Sequence, residues 1–324
     1  MAKPVLLLTG PMAQLVEDQL DQGFAVHRLH EAPDREALLA GVAGAIEAVA
    51  TSGSHRMRMD DALMARLPKL RIISNFGVGY DLVDAGAAGR RGIVVCNTPD
   101  VLNEEVADTT LGLLLMTVRE LGKAERWLRD GKWATQGDSP LTTSSLRERS
   151  VGILGMGRIG KAIARRCEAF GLPVAYCSRR PQADLAYKYY PDAVALARAV
   201  DTLIVITPGG AETKNLVNGA VLEALGPRGI LINMSRGTVV DEPALIKALK
   251  EHSILAAGLD VYLNEPKINP EFLALDNAVL LPHVGSASVP TRNAMGQLVV
   301  DNLKAYADRK PPLTPVPETP FKAW

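Results

Sequence analysis

Gly155-x-Gly157-x-x-Gly160 narrows the possible folds more than any other feature of the chain, because of what flanks it. The apolar run Val151-Gly152-Ile153-Leu154 reads as a buried strand, and Lys161-Ala162-Ile163-Ala164-Arg165 continues as a helix, so strand, glycine turn and helix follow one another directly. In that setting each glycine has its own reason: Gly155 permits the tight turn, Gly157 lets backbone N–H groups approach a pyrophosphate, and Gly160 lets the helix pack closely on the strand. Met156, Arg158 and Ile159 complete the turn, and the helix N-terminus behind it favours negative charge. A dinucleotide is the expected ligand of this segment.

The rest of the chain supports the same kind of architecture. β-rich runs at 5–8, 24–27, 45–50, 71–74 and 93–96 alternate with helical patterns such as 35–40 and 60–67. A second series has strands expected near 151–154, 174–177, 203–206, 230–233, 256–259 and 279–281. Alternation of this kind implies parallel strands joined by crossover helices. With 324 residues, 47% of them hydrophobic, there is enough apolar material for two separate cores. Between the two series a single long helix is expected over 103–130, Leu-rich at first and charged later. The polar stretch 131–149 reads as a loop or an arm, available to embrace a second subunit. A last helix is expected over 291–308, and the Pro-rich 311–324 is suited neither to a regular helix nor to a central strand.

Composition excludes more than it selects. The 36 Lys and Arg balance the 36 Asp and Glu, which removes any global electrostatic reason to bind nucleic acid or an anionic membrane. The first apolar run is too short for a signal peptide and no stretch is apolar enough to span a bilayer, so a cytoplasmic location is expected. Cys96, Cys167 and Cys177 are odd in number and lack C-x-x-C spacing, so buried free thiols are expected rather than a disulfide framework or a metal site.

The choice of dinucleotide should be made after the strand 174–177. An NAD-specific site places an acidic residue there, against the ribose hydroxyls, whereas this chain has Ser178-Arg179-Arg180. A hydroxyl and guanidinium groups can hydrogen-bond a 2′-phosphate that an Asp would repel, so NADP(H) is expected to be preferred, with NAD(H) bound more weakly. A solvated pair of surface arginines is the alternative reading.

Three later segments supply reactive groups: Asn233-Met234-Ser235-Arg236-Gly237, then Gly258-Leu259-Asp260-Val261-Tyr262-Leu263-Asn264-Glu265-Pro266, then Leu281-Pro282-His283-Val284-Gly285-Ser286. Each follows an expected strand, and the carboxyl ends of parallel strands line the ligand crevice of an open sheet. Together with Asn75-Phe76-Gly77-Val78-Gly79-Tyr80-Asp81, Asn97-Thr98-Pro99, Glu105-Val106-Ala107-Asp108 and Thr207-Pro208 with Thr213, they give the chain a resemblance over nearly its whole length. It resembles the D-isomer-specific 2-hydroxyacid dehydrogenase family, and within it the glyoxylate/hydroxypyruvate reductase branch.

The resemblance implies an α/β protein of two doubly wound parallel-sheet domains. One is a discontinuous, flavodoxin-like substrate domain, 1–98 and 288–324, and the other an NADP-binding Rossmann domain, 99–287. It implies a homodimer and a small anionic 2-oxo acid as substrate. Arg236 would grip the substrate carboxylate and keto oxygen, and backbone N–H groups around Val78 and Gly79 would bind the carboxylate. His283 would be the general acid, with Glu265 favouring its imidazolium form. Asp260 is expected near the nicotinamide carboxamide, and Thr207, Pro208, Thr213, Ser235 and Gly285 around the cofactor.

Simpler readings stand beside these. Taken alone, Glu265 is a solvated loop acid, and Asn75, Asp81 and Asp108 are caps of turns or helices. His27, His30, His55 and His252 lack partners in the sequence pattern and read as surface or structural residues. A 2-ketogluconate-type sugar-acid reductase would share all of the chemistry and differ in pocket size. A dinucleotide-sensing corepressor-like protein would keep the fold and the Arg, Glu and His set, yet no basic patch supports it.

Overall fold

The computed structural model describes residues 3–51 and 57–324, so His55 lies outside the described part. The chain divides into two compact units, Met1–Leu102 with Ser288–Trp324, and Asn103–Ala287.

The first unit runs β1 (Val5–Leu8), α1 (Gln14–Gly23), β2 (Ala25–Arg28), α2 (Arg35–Val42), β3 (Ala48–Thr51), α3 (Asp61–Ala65), β4 (Ile72–Asn75), α4 (Ala85–Arg90) and β5 (Val94–Cys96). Its five strands are parallel in the order β2-β1-β3-β4-β5. The chain steps outward from β1 to β2 and then returns past β1, which makes the flavodoxin-like order with its switch point between β1 and β3. Alternate residues of the strands enter different cores, as the period of two requires. Leu7, Val49, Ile73 and Val95 share one, and Leu6, Leu8, Ala48, Ala50, Ile72 and Val94 the other. Asp34, Asp60 and Asp84 start α2, α3 and α4 by accepting the N–H groups of Ala37, Leu63 and Ala87.

The second unit runs α5 (Asn103–Arg119), α6 (Leu121–Arg129), α7 (Lys132–Gln136), β6 (Val151–Leu154), α8 (Arg158–Ala169), β7 (Val174–Cys177), β8 (Lys188–Tyr190), α9 (Ala193–Ala199), β9 (Thr202–Val205), α10 (Gly219–Leu225), β10 (Ile230–Asn233), α11 (Glu242–Lys250), β11 (Ala256–Leu259) and β12 (Ala278–Leu280). Its seven-stranded parallel sheet has the order β12-β11-β10-β9-β6-β7-β8, a Rossmann arrangement whose switch point lies between β6 and β9. The chain then returns to the first unit through α12 (Val289–Ala307), whose Val299, Val300 and Leu303 complete the core around Leu6 and Leu8.

Three features differ from the sequence reading. The helix expected over 103–130 is two, broken at Glu120, whose φ of 48° is left-handed. The break falls where the buried face ends: α5 buries Leu113, Leu114 and Val118, whereas α6 has no fully buried residue. The arm 131–149 contains the short α7. The edge strand β8 was not expected, because Lys188-Tyr189-Tyr190 is too short to show a period.

The Pro-rich segment is neither helix nor central strand, and it lies along the edge of β5. Val316 N–H donates to the Val95 carbonyl (2.8 Å) and Asn97 N–H to the Thr314 carbonyl (3.3 Å), on either side of an antiparallel bridge between Cys96 and Pro315. A proline is tolerated there because only one side of the segment is paired.

Candidate active site

The glycine turn sits at the switch point of the second unit. Gly155 has φ +109°, and a Cβ there would lie 2.8 Å from the Ile206 carbonyl carbon and oxygen. A Cβ on Gly160 would collide with the Gly155 carbonyl oxygen. Both glycines are therefore demanded by the fold. Gly157 is different: its φ of −82° and ψ of −161° suit any residue, and a Cβ there would meet nothing within 4 Å. Nothing inside the protein requires glycine at 157, at the exposed N-cap of α8, so its identity points to a group that must approach the backbone from outside. Met156 is buried beneath the turn, Ile159 is half-buried, and Arg158 is exposed at the start of α8. The residues present thus fit a dinucleotide pyrophosphate.

Ser178, Arg179 and Arg180 follow β7, next to β6, and both arginines are exposed. The Ser178 hydroxyl donates to the Arg180 carbonyl (2.8 Å), which folds the segment into a turn. Gln182, unnoticed in the sequence, ties this turn to the glycine loop: its N–H donates to the Tyr176 hydroxyl (2.8 Å) and its side-chain amide to the Met156 carbonyl (2.7 Å). On the other side of β6, the Ser235 hydroxyl donates to the Thr207 carbonyl (2.6 Å), bringing the loops after β9 and β10 together. The Thr213 hydroxyl closes the first of these loops on the Pro208 carbonyl (2.8 Å).

Arg236, Glu265 and His283 emerge from the carboxyl ends of β10, β11 and β12, which are adjacent in the sheet. Asn233 shapes the first turn, accepting Ser235 N–H (3.1 Å) through its Oδ1 and donating from Nδ2 to the Arg236 carbonyl (3.2 Å). The half-buried Arg236 donates from Nη1 to the Ser235 carbonyl (2.7 Å). A Cβ on Gly237 would overlap the Tyr262 carbonyl group and Leu263 N, so glycine at 237 lets the arginine turn press against the loop that carries Glu265.

That loop is braced from within. Glu265 Oε1 accepts Tyr262 N–H (2.9 Å) and Glu242 Oε1 accepts Leu263 N–H (2.6 Å). Burial, opposed by the Leu263 bond and reinforced by the charge of Glu265, raises the Glu242 carboxyl above the usual carboxylate range. The Tyr262 hydroxyl donates to the carbonyls of Leu259 (3.1 Å) and Leu281 (3.0 Å), linking the ends of β11 and β12.

Glu265 Oε2 lies 2.7 Å from His283 Nδ1, with the carboxylate side chain 13% and the imidazole 41% exposed. An ionised carboxylate only accepts hydrogen bonds, so the proton between them sits on Nδ1, and Nε2 is the ring nitrogen left over for a further partner. His283 has the left-handed φ of 57°, an uncommon conformation for a non-glycine residue. Asp260 holds it there by accepting Val284 N–H (2.7 Å) and Gly285 N–H (2.8 Å), one on each carboxylate oxygen. Burial raises the Asp260 carboxyl while those two N–H groups and the charge of His283 pull it back. Asp260, expected at the nicotinamide carboxamide, is in the structure the brace of the histidine loop. Thr109 of α5 adds a bond to the Gly285 carbonyl (3.2 Å).

In the first unit the loop after β4 is held largely by its carbonyls. Asn75 Nδ2 donates to those of Gly77 (3.2 Å) and Gly79 (3.1 Å), and Asn97 Nδ2 to that of Val78 (2.9 Å). Thr98 adds bonds to both the N–H and the carbonyl of Gly77. Among the described residues the N–H groups of Val78 and Gly79 have no acceptor, which leaves two adjacent donors for an anion. Asn75 is thus a clamp rather than a cap. Asp108 likewise forms an ion pair, accepting Arg166 Nε at 2.6 Å. His252 is exposed and His27 half-buried. The described residues contain no group of three or more His, Cys, Asp or Glu placed to hold a metal ion, and no described helix is long and apolar enough to cross a membrane.

The family model for the D-isomer specific 2-hydroxyacid dehydrogenase NAD binding domain matches residues 111–285. A glyoxylate/hydroxypyruvate reductase of Arabidopsis thaliana is 46% identical over 311 residues, covering 96% of this chain and 98% of the relative. A 2-ketogluconate reductase of Gluconobacter oxydans is 41% identical over 315 residues, covering 97% and 99%. Among solved structures, the NADPH-dependent glyoxylate/hydroxypyruvate reductase of Sinorhizobium meliloti in complex with NADP and malonate is 51% identical. Its TM-score is 0.94, with 100% of this chain and 99% of that chain covered. By sequence and by fold alike, the chain belongs to the D-isomer specific 2-hydroxyacid dehydrogenase family.

Proposed function

We propose that the chain reduces small 2-oxo acids, glyoxylate and hydroxypyruvate among them, to 2-hydroxy acids at the expense of NADPH. The observation that carries this reading is the 2.7 Å contact between Glu265 and His283 Nδ1, at the same sheet edge as Arg236 and the glycine turn. Gly155, Gly157 and Gly160 would hold the pyrophosphate, and Ser178, Arg179 and Arg180 the 2′-phosphate. Thr207, Pro208, Thr213, Ser235, Asp260 and Gly285 would complete the cofactor's surroundings. When bound, NADPH supplies the hydride.

The chain supplies charge and a proton. The Arg236 guanidinium, with its planar set of donors, would pair with the substrate carboxylate and polarise the keto oxygen. The unclaimed N–H groups of Val78 and Gly79 would bind the same carboxylate. As the carbonyl carbon is reduced its oxygen gains negative charge, and His283 would release the Nε2 proton to it. Glu265 keeps the imidazole oriented and stabilises the protonated ring before transfer.

The 2-ketogluconate reductase among the relatives favours a second reading, in which a sugar acid is preferred. NADPH oxidation measured with glyoxylate, hydroxypyruvate, pyruvate and 2-ketogluconate separates the two by their kcat/KM. Silence with every acid would overturn both and favour a dinucleotide-binding protein. With the preferred acid, His283→Gln should lower kcat by about 10²–10⁴-fold and leave KM for NADPH nearly unchanged.

The oligomer is proposed to be a homodimer. In the second unit α6 and α7 contain no fully buried residue, and Leu121, Leu128, Trp133 and Leu141 are exposed on and beside them, Leu141 at 96%. Large apolar side chains gathered on one arm fit a protein partner better than water, and a second copy of the chain meets that need.

A further inference from the structure

Residues 311–324 do more than cover the edge of β5. Thr314 is fixed by Asn302, a fully buried residue of α12, whose Oδ1 accepts the N–H groups of Leu313 (2.9 Å) and Thr314 (3.1 Å) and whose Nδ2 donates to Thr314 Oγ1 (2.9 Å). Thr314 in turn holds Asn97, donating from Oγ1 to its carbonyl (2.6 Å) and accepting its N–H (3.3 Å). Asn97 then holds Val78 by its carbonyl (2.9 Å). A second path reaches the other end of the same loop: the Tyr80 hydroxyl donates to Glu318 Oε2 (3.0 Å). Glu318 is itself seated on α4, where its carbonyl oxygen would be 3.0 Å from a Cβ on Gly89, so a side chain at 89 would press the segment away from α4. Val95 and Thr319 exchange hydrogen bonds on the far side (2.9 and 3.3 Å). Burial and the neighbouring Glu318 push the Tyr80 hydroxyl up to about 12, so it stays a proton donor across the neutral range.

We propose that the segment 311–324 positions the anion-binding loop, with Glu318 and Thr314 as positioning residues that orient the Val78 and Gly79 N–H groups through Tyr80 and Asn97. This rests on the reading of those two N–H groups as carboxylate donors. Removing one anchoring hydrogen bond should weaken capture of the substrate carboxylate without touching the proton donor or the cofactor site. The loss would therefore appear in KM for the oxo acid alone.

The test compares wild-type protein with Tyr80→Phe, Glu318→Ala and Glu318→Gln. The first two should raise KM for glyoxylate about three- to tenfold, the worth of one net hydrogen bond, with kcat and KM for NADPH unchanged. Glu318→Gln keeps an oxygen acceptor for the tyrosine and should restore KM to near wild type, a rescue that lost bulk packing would not show. Backbone amide order parameters measured by NMR at Val78 and Gly79 in the unliganded protein should fall in Tyr80→Phe and Glu318→Ala while those of the strands of the unit stay unchanged. Unchanged order parameters and unchanged KM in both variants would overturn the proposal. If wild-type protein reduces no 2-oxo acid, the functional reading falls by itself, and the order parameters at 78 and 79 still decide whether the segment positions the loop.

Discussion

At the scale of single residues, the chemistry depends on groups whose state is set by one or two neighbours. His283 is the clearest case, since Glu265 fixes its tautomer and Asp260 fixes its backbone. Arg179 and Arg180 are exposed, so the role proposed for them is direct contact with a 2′-phosphate. Replacing both by Ala should raise KM for NADPH about ten- to a hundredfold while changing KM for NADH little, as loss of a charged hydrogen bond predicts. Equal effects on both cofactors would remove the assignment. The three thiols behave as apolar side chains. Burial raises Cys96 and Cys167 to about 12 and Cys177 to about 11 from the ordinary 9.0. A thiol whose folded pKa exceeds its unfolded value stabilises the fold fully below the unfolded value, and that contribution is lost as pH rises through the folded one. Thermal stability should therefore fall between pH 9 and 12, and a thiol reagent at pH 8 should label none of the three until the protein is unfolded. The sequence showed these residues as types, and it showed their pairing only through resemblance. A separation of 18 residues between Glu265 and His283 says nothing about distance until β11 and β12 are known to be neighbours.

At the scale of elements, the strand–turn–helix from Val151 to Ala169 was legible because its three glycines act locally, and local geometry is what a short motif encodes. The structure separates their duties. Gly155→Ala must place a side chain at φ +109° against the Ile206 carbonyl, so it should lower the melting temperature. Gly157→Ala points into open space and should leave the melting temperature almost unchanged while weakening NADPH binding. Titration calorimetry beside thermal melts distinguishes the two, and a Gly157→Ala protein with normal NADPH affinity would refute the cradle. The break at Glu120 was not legible, because Arg119, Glu120 and Leu121 are all compatible with a continuing helix. What ends α5 is the edge of the surface it packs on, a property of β11 and α8 and not of its own residues. The same holds for β8, which exists because β7 offers it an edge to pair with.

At the scale of the whole molecule, the arm that α6 and α7 form has apolar side chains and no core of its own. Sedimentation should give twice the mass of the chain, and Leu128→Asp combined with Trp133→Ala should shift it toward the monomer; a wild-type monomer at micromolar concentration would exclude this interface. The sequence alone determined that there are two parallel-sheet units, where the glycine turn lies, and which residue types stand at strand ends, because alternation, glycine geometry and β-propensity act over a few neighbouring residues. Only the tertiary structure decided that Asp260 braces the histidine loop, that Gln182 and Ser235 join the loops around the glycine turn, and that residues 311–324 hold the loop of Val78 and Gly79. Those contacts join residues distant along the chain, and their partners are chosen by the order of strands in each sheet, which no local pattern encodes.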